Sequence, residues 1–188
     1  MNIKSLLLSF VIALTSAVPA AQAAPVEVTY TTAGSAGNWI YDFSFTNNTG
    51  NQFLYFMGAL VADGTVTGKP SAAYSTYIYY PIDGINYNAI WSSEPIESGV
   101  NPAQTVSGYQ VTSTALTLQQ TINVFTYGYN HGVQYAGNDY QSGNPGNPGF
   151  ILQATRIDAT DVPEPASLAL LAVGLIGLGL ARNKAHRA

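Results

Sequence analysis

From Pro25 to Ile157 the chain is written in short runs of alternating apolar and polar residues, a period of two that places successive side chains on opposite faces of a β-strand. Val26, Val28 and Tyr30 alternate with Glu27, Thr29 and Thr31. Trp39, Tyr41, Phe43 and Phe45 alternate with Ile40, Asp42, Ser44 and Thr46, so four aromatics share one face. Such a face supplies several kcal/mol of transfer free energy, on the order of 25 cal/mol per Å² buried. Asn47-Asn48-Thr49-Gly50-Asn51 then predicts a turn, because Asn and Gly tolerate positive φ. Residues 53–61 are apolar on both faces, which predicts a central strand covered twice.

Further strands are predicted at Tyr74–Tyr80, where Pro81 ends the run or confines it to a sheet edge, and at Ile85–Trp91 after the hairpin dipeptide Asp83-Gly84. Residues 92–102 predict a loop. Strand patterns return at Tyr109–Leu118, Thr121–Tyr129 and Phe150–Ile157. The Gly- and Pro-rich stretch 137–149 is expected to be irregular. Eight or nine short strands at roughly ten-residue intervals predict an all-β fold, an antiparallel β-sandwich with jelly-roll or immunoglobulin-like wiring. No fixed-period repeat points to a propeller or solenoid.

The two ends of the chain break this pattern. Lys4, the apolar run from Leu6 to Leu14 and the small residues Ala21 and Ala23 around Gln22 have the layout of a secretory signal peptide over residues 1–23, with cleavage expected after Ala23. A short membrane anchor is disfavoured, since Thr15, Ser16 and Pro19 interrupt the run. At the other end, Asp158–Val162 forms a polar linker, and residues 163–188 combine Pro163-Glu164-Pro165, an uncharged apolar run at 166–181 and a basic tail at 182–188. As a helix that run measures about 24 Å at 1.5 Å per residue. With slight bilayer thinning it suits a transmembrane helix. Arg182, Lys184 and Arg187 then act as a stop-transfer tail held in the cytoplasm, leaving the β domain (24–157) outside. Pro165 and Glu164 also suit a helix start.

Across all 188 residues, 47% are hydrophobic and only 9% charged, a charge-poor balance due in part to these ends. Between Ala24 and Val162 stand two basic residues, Lys69 and Arg156, against nine acidic ones, a net charge of −7. Nucleic acid is therefore not expected as a partner. The absence of cysteine excludes disulfides and thiol chemistry, so an exported domain must be held by its core alone.

Catalytic signals are sparse. His131, beside Asn130 and Gly132, reads as a turn residue, and no nucleophile elbow, zinc helix or phosphate loop is present. Glu94 and Glu97 are the one conceivable glycosidase pair, and surface charge explains them as well. Asp63, Asp83 and Asp139 have the oxygens of a Ca²⁺ ligand but the context of turns. No catalytic residue, metal site or cofactor is expected. Tyr77, Tyr79, Tyr87 and Trp91 fall in a tyrosine-dense stretch that could stack on sugar rings. Asn47-Asn48-Thr49 matches a glycosylation sequon but reads as a turn.

The order Val162-Pro163-Glu164-Pro165, apolar span and basic tail resembles the PEP-CTERM sorting signal of Gram-negative bacteria. The resemblance covers the last 27 residues or so; the tail, with Asn183 and Lys184, is less purely arginine than the family's usual cluster. It implies recognition of Pro163, Glu164 and Pro165 by an exosortase, a multi-spanning membrane protease. The protein would be anchored transiently in the inner membrane, its domain on the periplasmic side, and then pass to the cell surface or outside the cell. Family members commonly come from biofilm- or floc-forming bacteria that also make exopolysaccharide. The resemblance thus implies a surface or matrix protein without enzymatic activity, with a carbohydrate-binding module for exopolysaccharide as the alternative and a secreted glycoside hydrolase as the third reading.

Overall fold

A computed structural model describes residues 23–157. Most of the expected signal peptide, the expected linker at 158–162 and the residues of the tag at 163–188, with its expected transmembrane helix, lie outside them. The described residues form β1 (Val26–Ser35), β2 (Asn38–Asn47), β3 (Phe53–Ala59), β4 (Gly64–Gly68), β5 (Tyr74–Tyr77), β6 (Tyr80–Ile82), β7 (Ile85–Tyr87), β8 (Ala89–Ser93), β9 (Thr105–Ser113), β10 (Ile122–Tyr129), β11 (Ser142–Asn144) and β12 (Asn147–Arg156), with one 3-10 turn at Ile96–Ser98.

Ten strands run in the order β4-β9-β2-β1-β12-β10-β3-β8-β5, with β11 beside β12 and β6-β7 as a separate ribbon. All neighbours are antiparallel except β1 and β12, which pair in parallel at Thr29 with Thr155 and Tyr30 with Arg156. That seam divides the order into two leaves, which fold face to face as a β-sandwich. Their inner faces meet in one core. Phe43 of the first leaf lies 6.3 Å from Trp91 of the second, and Tyr109 lies 5.0 Å from Phe45 and 5.4 Å from Trp91. The aromatic face expected of β2 is there. Tyr41, Phe43 and Phe45 are fully buried, and Trp39 packs part-buried at its end.

β3 is covered on both sides, as its pattern requires. Leu54 and Met57 enter the main core, whereas Phe56 packs with Ile82, Tyr87, Ile90 and Phe125 in a second cluster outside the leaf. The β6-β7 ribbon supplies that cover.

Several predicted boundaries change: the strand expected at Tyr109–Leu118 is Thr105–Ser113, and Gly64–Gly68, where no strand is predicted, forms β4. The run from Tyr74 to Tyr80 is two strands, because the chain leaves the leaf after Tyr77 and crosses to its outer face, where Pro81 needs no ladder on its missing N–H side. The run from Ile85 to Trp91 divides likewise into β7 and β8. The stretch 137–149, expected to be irregular, ends in the hairpin of β11 and β12: Asn144 Oδ1 accepts from the backbone N–H of Gly146 and of Asn147, both at 2.9 Å, so the asparagine builds the turn locally.

Candidate functional site

The chain that leads from β5 into the ribbon covering β3 carries a run of exposed apolar residues. Asp83 (φ 49°) and Gly84 (φ 79°) both take positive φ, as a two-residue hairpin turn of the type I′ kind requires. The ribbon lies flat on the leaf because Ile82 and Tyr87 face inward. The segment from Tyr77 to Tyr80 that leads into it faces outward. Ile78 is 79% exposed, Tyr79 59%, Tyr77 46% and Tyr80 37%.

Tyr80 is steadied by Phe56 at 4.7 Å, edge to face, and by Phe125 at 5.8 Å, stacked. The Tyr79 hydroxyl donates to Asn86 Oδ1 at 3.1 Å. The patch is thus a fixed aromatic surface with an amide beside it. Ring faces of this kind stack on sugar rings while amides bond hydroxyls.

The structure corrects half of the expected sugar-stacking group. Tyr77 and Tyr79 are exposed on the patch, but Tyr87 and Trp91 are fully buried. Trp91 fills the interior between the leaves, where its Nε1 donates to the Gly68 carbonyl at 2.9 Å. Tyr87 is the ribbon's inward residue, its hydroxyl pushed up in pKa by burial and by the negative charge of Asp83. Ile78 and Asn86 belong to the patch and were not singled out from sequence. The signal available was the unbroken run Tyr77-Ile78-Tyr79-Tyr80 before Pro81, which has no alternation and cannot bury every member.

His131 and Glu97, weighed separately in the sequence, are brought together. Nε2 lies 2.9 Å from Oε1, with side chains 65% and 45% exposed. The Tyr129 ring stands against the imidazole at 5.2 Å. Glu94 precedes Pro95 through a cis peptide bond, and its backbone N–H donates to Ala73 O at 2.8 Å.

Asp63 and Asp83 occupy positive-φ turn positions, and Asp139 accepts from the Tyr135 hydroxyl at 2.6 Å. Among the described residues no three His, Asp or Glu side chains converge as a metal site. Asn47 of the sequon is fully buried, its Nδ2 donating to Gln52 O at 2.6 Å and to Val100 O at 2.8 Å. It is a structural residue closed to modification.

The sorting motif Pro163, Glu164, Pro165 and the tail residues Arg182, Lys184 and Arg187 lie outside the described residues, as does Ala21, whereas Ala23 stands at their start. The point of departure toward the tag is defined. Ile157 donates its backbone N–H to Tyr30 O at 2.9 Å, which extends the β1-β12 seam to the last described residue.

Residues 161–183 match the PEP-CTERM protein-sorting motif. The chain therefore carries a PEP-CTERM sorting motif near its C-terminus. No curated protein matches the chain. Among solved structures, an uncharacterised Nocardia farcinica protein with an immunoglobulin-like fold is similar at 15% identity over 69% of this chain and 98% of that one, with a TM-score of 0.41. The GH20 exo-β-N-acetylglucosaminidase of Vibrio harveyi, in complex with N-acetylglucosamine, is similar at 8% identity, TM-score 0.37, over 76% of this chain and 19% of that one. An inactive mutant of the same enzyme gives 9% identity with the same coverage and score.

Proposed function

We propose that this protein is an exported, non-enzymatic component of the cell surface or extracellular matrix, sorted through its C-terminal tag by an exosortase-like membrane protease. The sorting motif at residues 161–183 is the observation that carries the reading. On this view the apolar run at 166–181 holds the chain in the inner membrane with the sandwich on the periplasmic side. The Pro163-Glu164-Pro165 triplet then presents the cut. The domain suits such a destination, since it contains no cysteine and needs no disulfide. Mass spectrometry of surface or culture material is expected to show a start at Ala24 and loss of the apolar run. Glu164→Ala should leave folding intact and retain the protein in the membrane. Unchanged release of that variant, or an intact C-terminus in surface material, would overturn the sorting step.

A second reading, a carbohydrate-binding module for exopolysaccharide, is favoured by the outward aromatic patch at Tyr77, Ile78, Tyr79 and Tyr80. It would give the sorted domain a reason to remain in the matrix.

A further inference from the structure

Three adjoining clefts meet where the described chain begins. Ala24 and Asp139 line two of them together, and Ala23, Pro25 and Asp139 line the third. The N-terminal segment is held in place there by Asn48, whose Nδ2 donates to Ala24 O and whose backbone N–H donates to Pro25 O, both at 2.9 Å. With its carbonyl fixed, Ala24 can place its own nitrogen only within the small reach of its Cα.

The opposite wall is equally well built. The Tyr135 ring packs edge to face on Phe150 at 5.4 Å and on Tyr140 at 6.3 Å. Its hydroxyl, kept protonated by burial and by the hydrogen bond to Asp139, donates to Oδ1 of that carboxylate. Asp139 lines all three clefts. Asp139 and Tyr135 are the titratable side chains lining these clefts, and no lysine or arginine does so. Lys69 and Arg156 are engaged elsewhere, with Tyr74 O and Gln120 Oε1.

We propose that the Asp139 cleft is a binding site for a primary ammonium group, and that its occupant is the α-ammonium of Ala24 set free when the chain is cut after Ala23. The inference rests on the export reading above. Cutting adds a positive charge to a strongly acidic domain beside a carboxylate already oriented by Tyr135. Removal of the leader thereby fastens the entrance to β1.

The test uses the protein recovered after export. Its start is read by mass spectrometry, its amines are reductively methylated with ¹³C-formaldehyde, and the α-amine is titrated by NMR. The amine is expected to titrate at least about one unit above the usual range of about 7.7–8.0, a tenfold gain in proton affinity, and to return to that range in Asp139→Asn. Should Asp139→Asn fold poorly, Tyr135→Phe keeps the carboxylate and should keep the raised titration. A start other than Ala24 overturns the occupant together with the leader reading. A start at Ala24 with an unshifted amine, or a shift that survives Asp139→Asn, overturns the docking alone.

Discussion

Phe43 and Trp91 face each other from opposite leaves, ring centroids 6.3 Å apart and planes inclined by 56°. Trp91 also bonds Gly68 O on the edge strand of the far leaf, so one side chain spans the sandwich. Trp91→Ala is expected to cost roughly 3–5 kcal/mol, a large share of a small domain's stability. Trp91→Phe should cost less, losing mainly volume and one hydrogen bond. Denaturant unfolding of both variants checks the order, and an Ala variant as stable as wild type would refute the packing argument.

Asn47 ends β2 with its amide wholly buried between two carbonyls, while its Oδ1 accepts from Thr49 N and Thr49 Oγ1. Asn47→Ala orphans these groups and is expected to cost about 2–3 kcal/mol. Asn47→Asp puts a carboxylate against the Gln52 and Val100 carbonyls. Burial and those dipoles should raise its folded pKa, so the variant should be most stable below about pH 4 and lose stability as pH rises through the folded value. A thermal midpoint for Asn47→Asp that does not fall with rising pH would contradict this.

The tyrosines give the wild type an alkaline limit. Burial raises the hydroxyls of Tyr55, Tyr74, Tyr87, Tyr109, Tyr127 and Tyr135 above their ordinary 10.0, Tyr109 most of all, its hydroxyl donating to Tyr74 at 2.9 Å. The unfolded chain releases these protons near pH 10 while the folded chain keeps them. Stability is therefore fully present below about pH 10 and declines above it. Thermal melts from pH 8 to 11 should show that break. Tyr109→Phe should make the decline shallower.

Tyr79 contributes little to the core, and Tyr79→Ala is expected to change stability by no more than about 0.5 kcal/mol. If the patch grips polysaccharide, the same change should lower retention on the native matrix by about tenfold, equivalent to about 1.4 kcal/mol. Equal retention of variant and wild type would remove the patch from consideration.

Most of the long strands were legible because burial on one face enforces a period of two: the sets Val26/Val28/Tyr30 and Tyr41/Phe43/Phe45 are inward throughout, whereas the short Gly-flanked β4 showed no such pattern. The double cover of β3 was legible for the same reason. What alternation cannot show is which leaf, or which outer layer, an apolar face meets. Tyr87 and Trp91 read like Tyr77 and Tyr79, and only the path of the ribbon separates the buried pair from the exposed one. The hairpin at 142–156 was hidden by its Gly and Pro content, since Asn144 supplies the turn through side-chain bonds. The pairing of His131 with Glu97 joins loops 34 positions apart and leaves no local pattern.

The parallel seam of β1 and β12 also has a mechanical meaning. The chain enters at the start of β1 and leaves at the end of β12, so tension between the ends draws the two strands past each other along their length. The bonds at Thr29, Tyr30 and Ile157 are then loaded together, in shear, and not opened one at a time. A domain pulled between a tether and its surroundings should resist to a single high force peak in single-molecule stretching, and Thr155→Pro, which removes a seam N–H, should lower that peak.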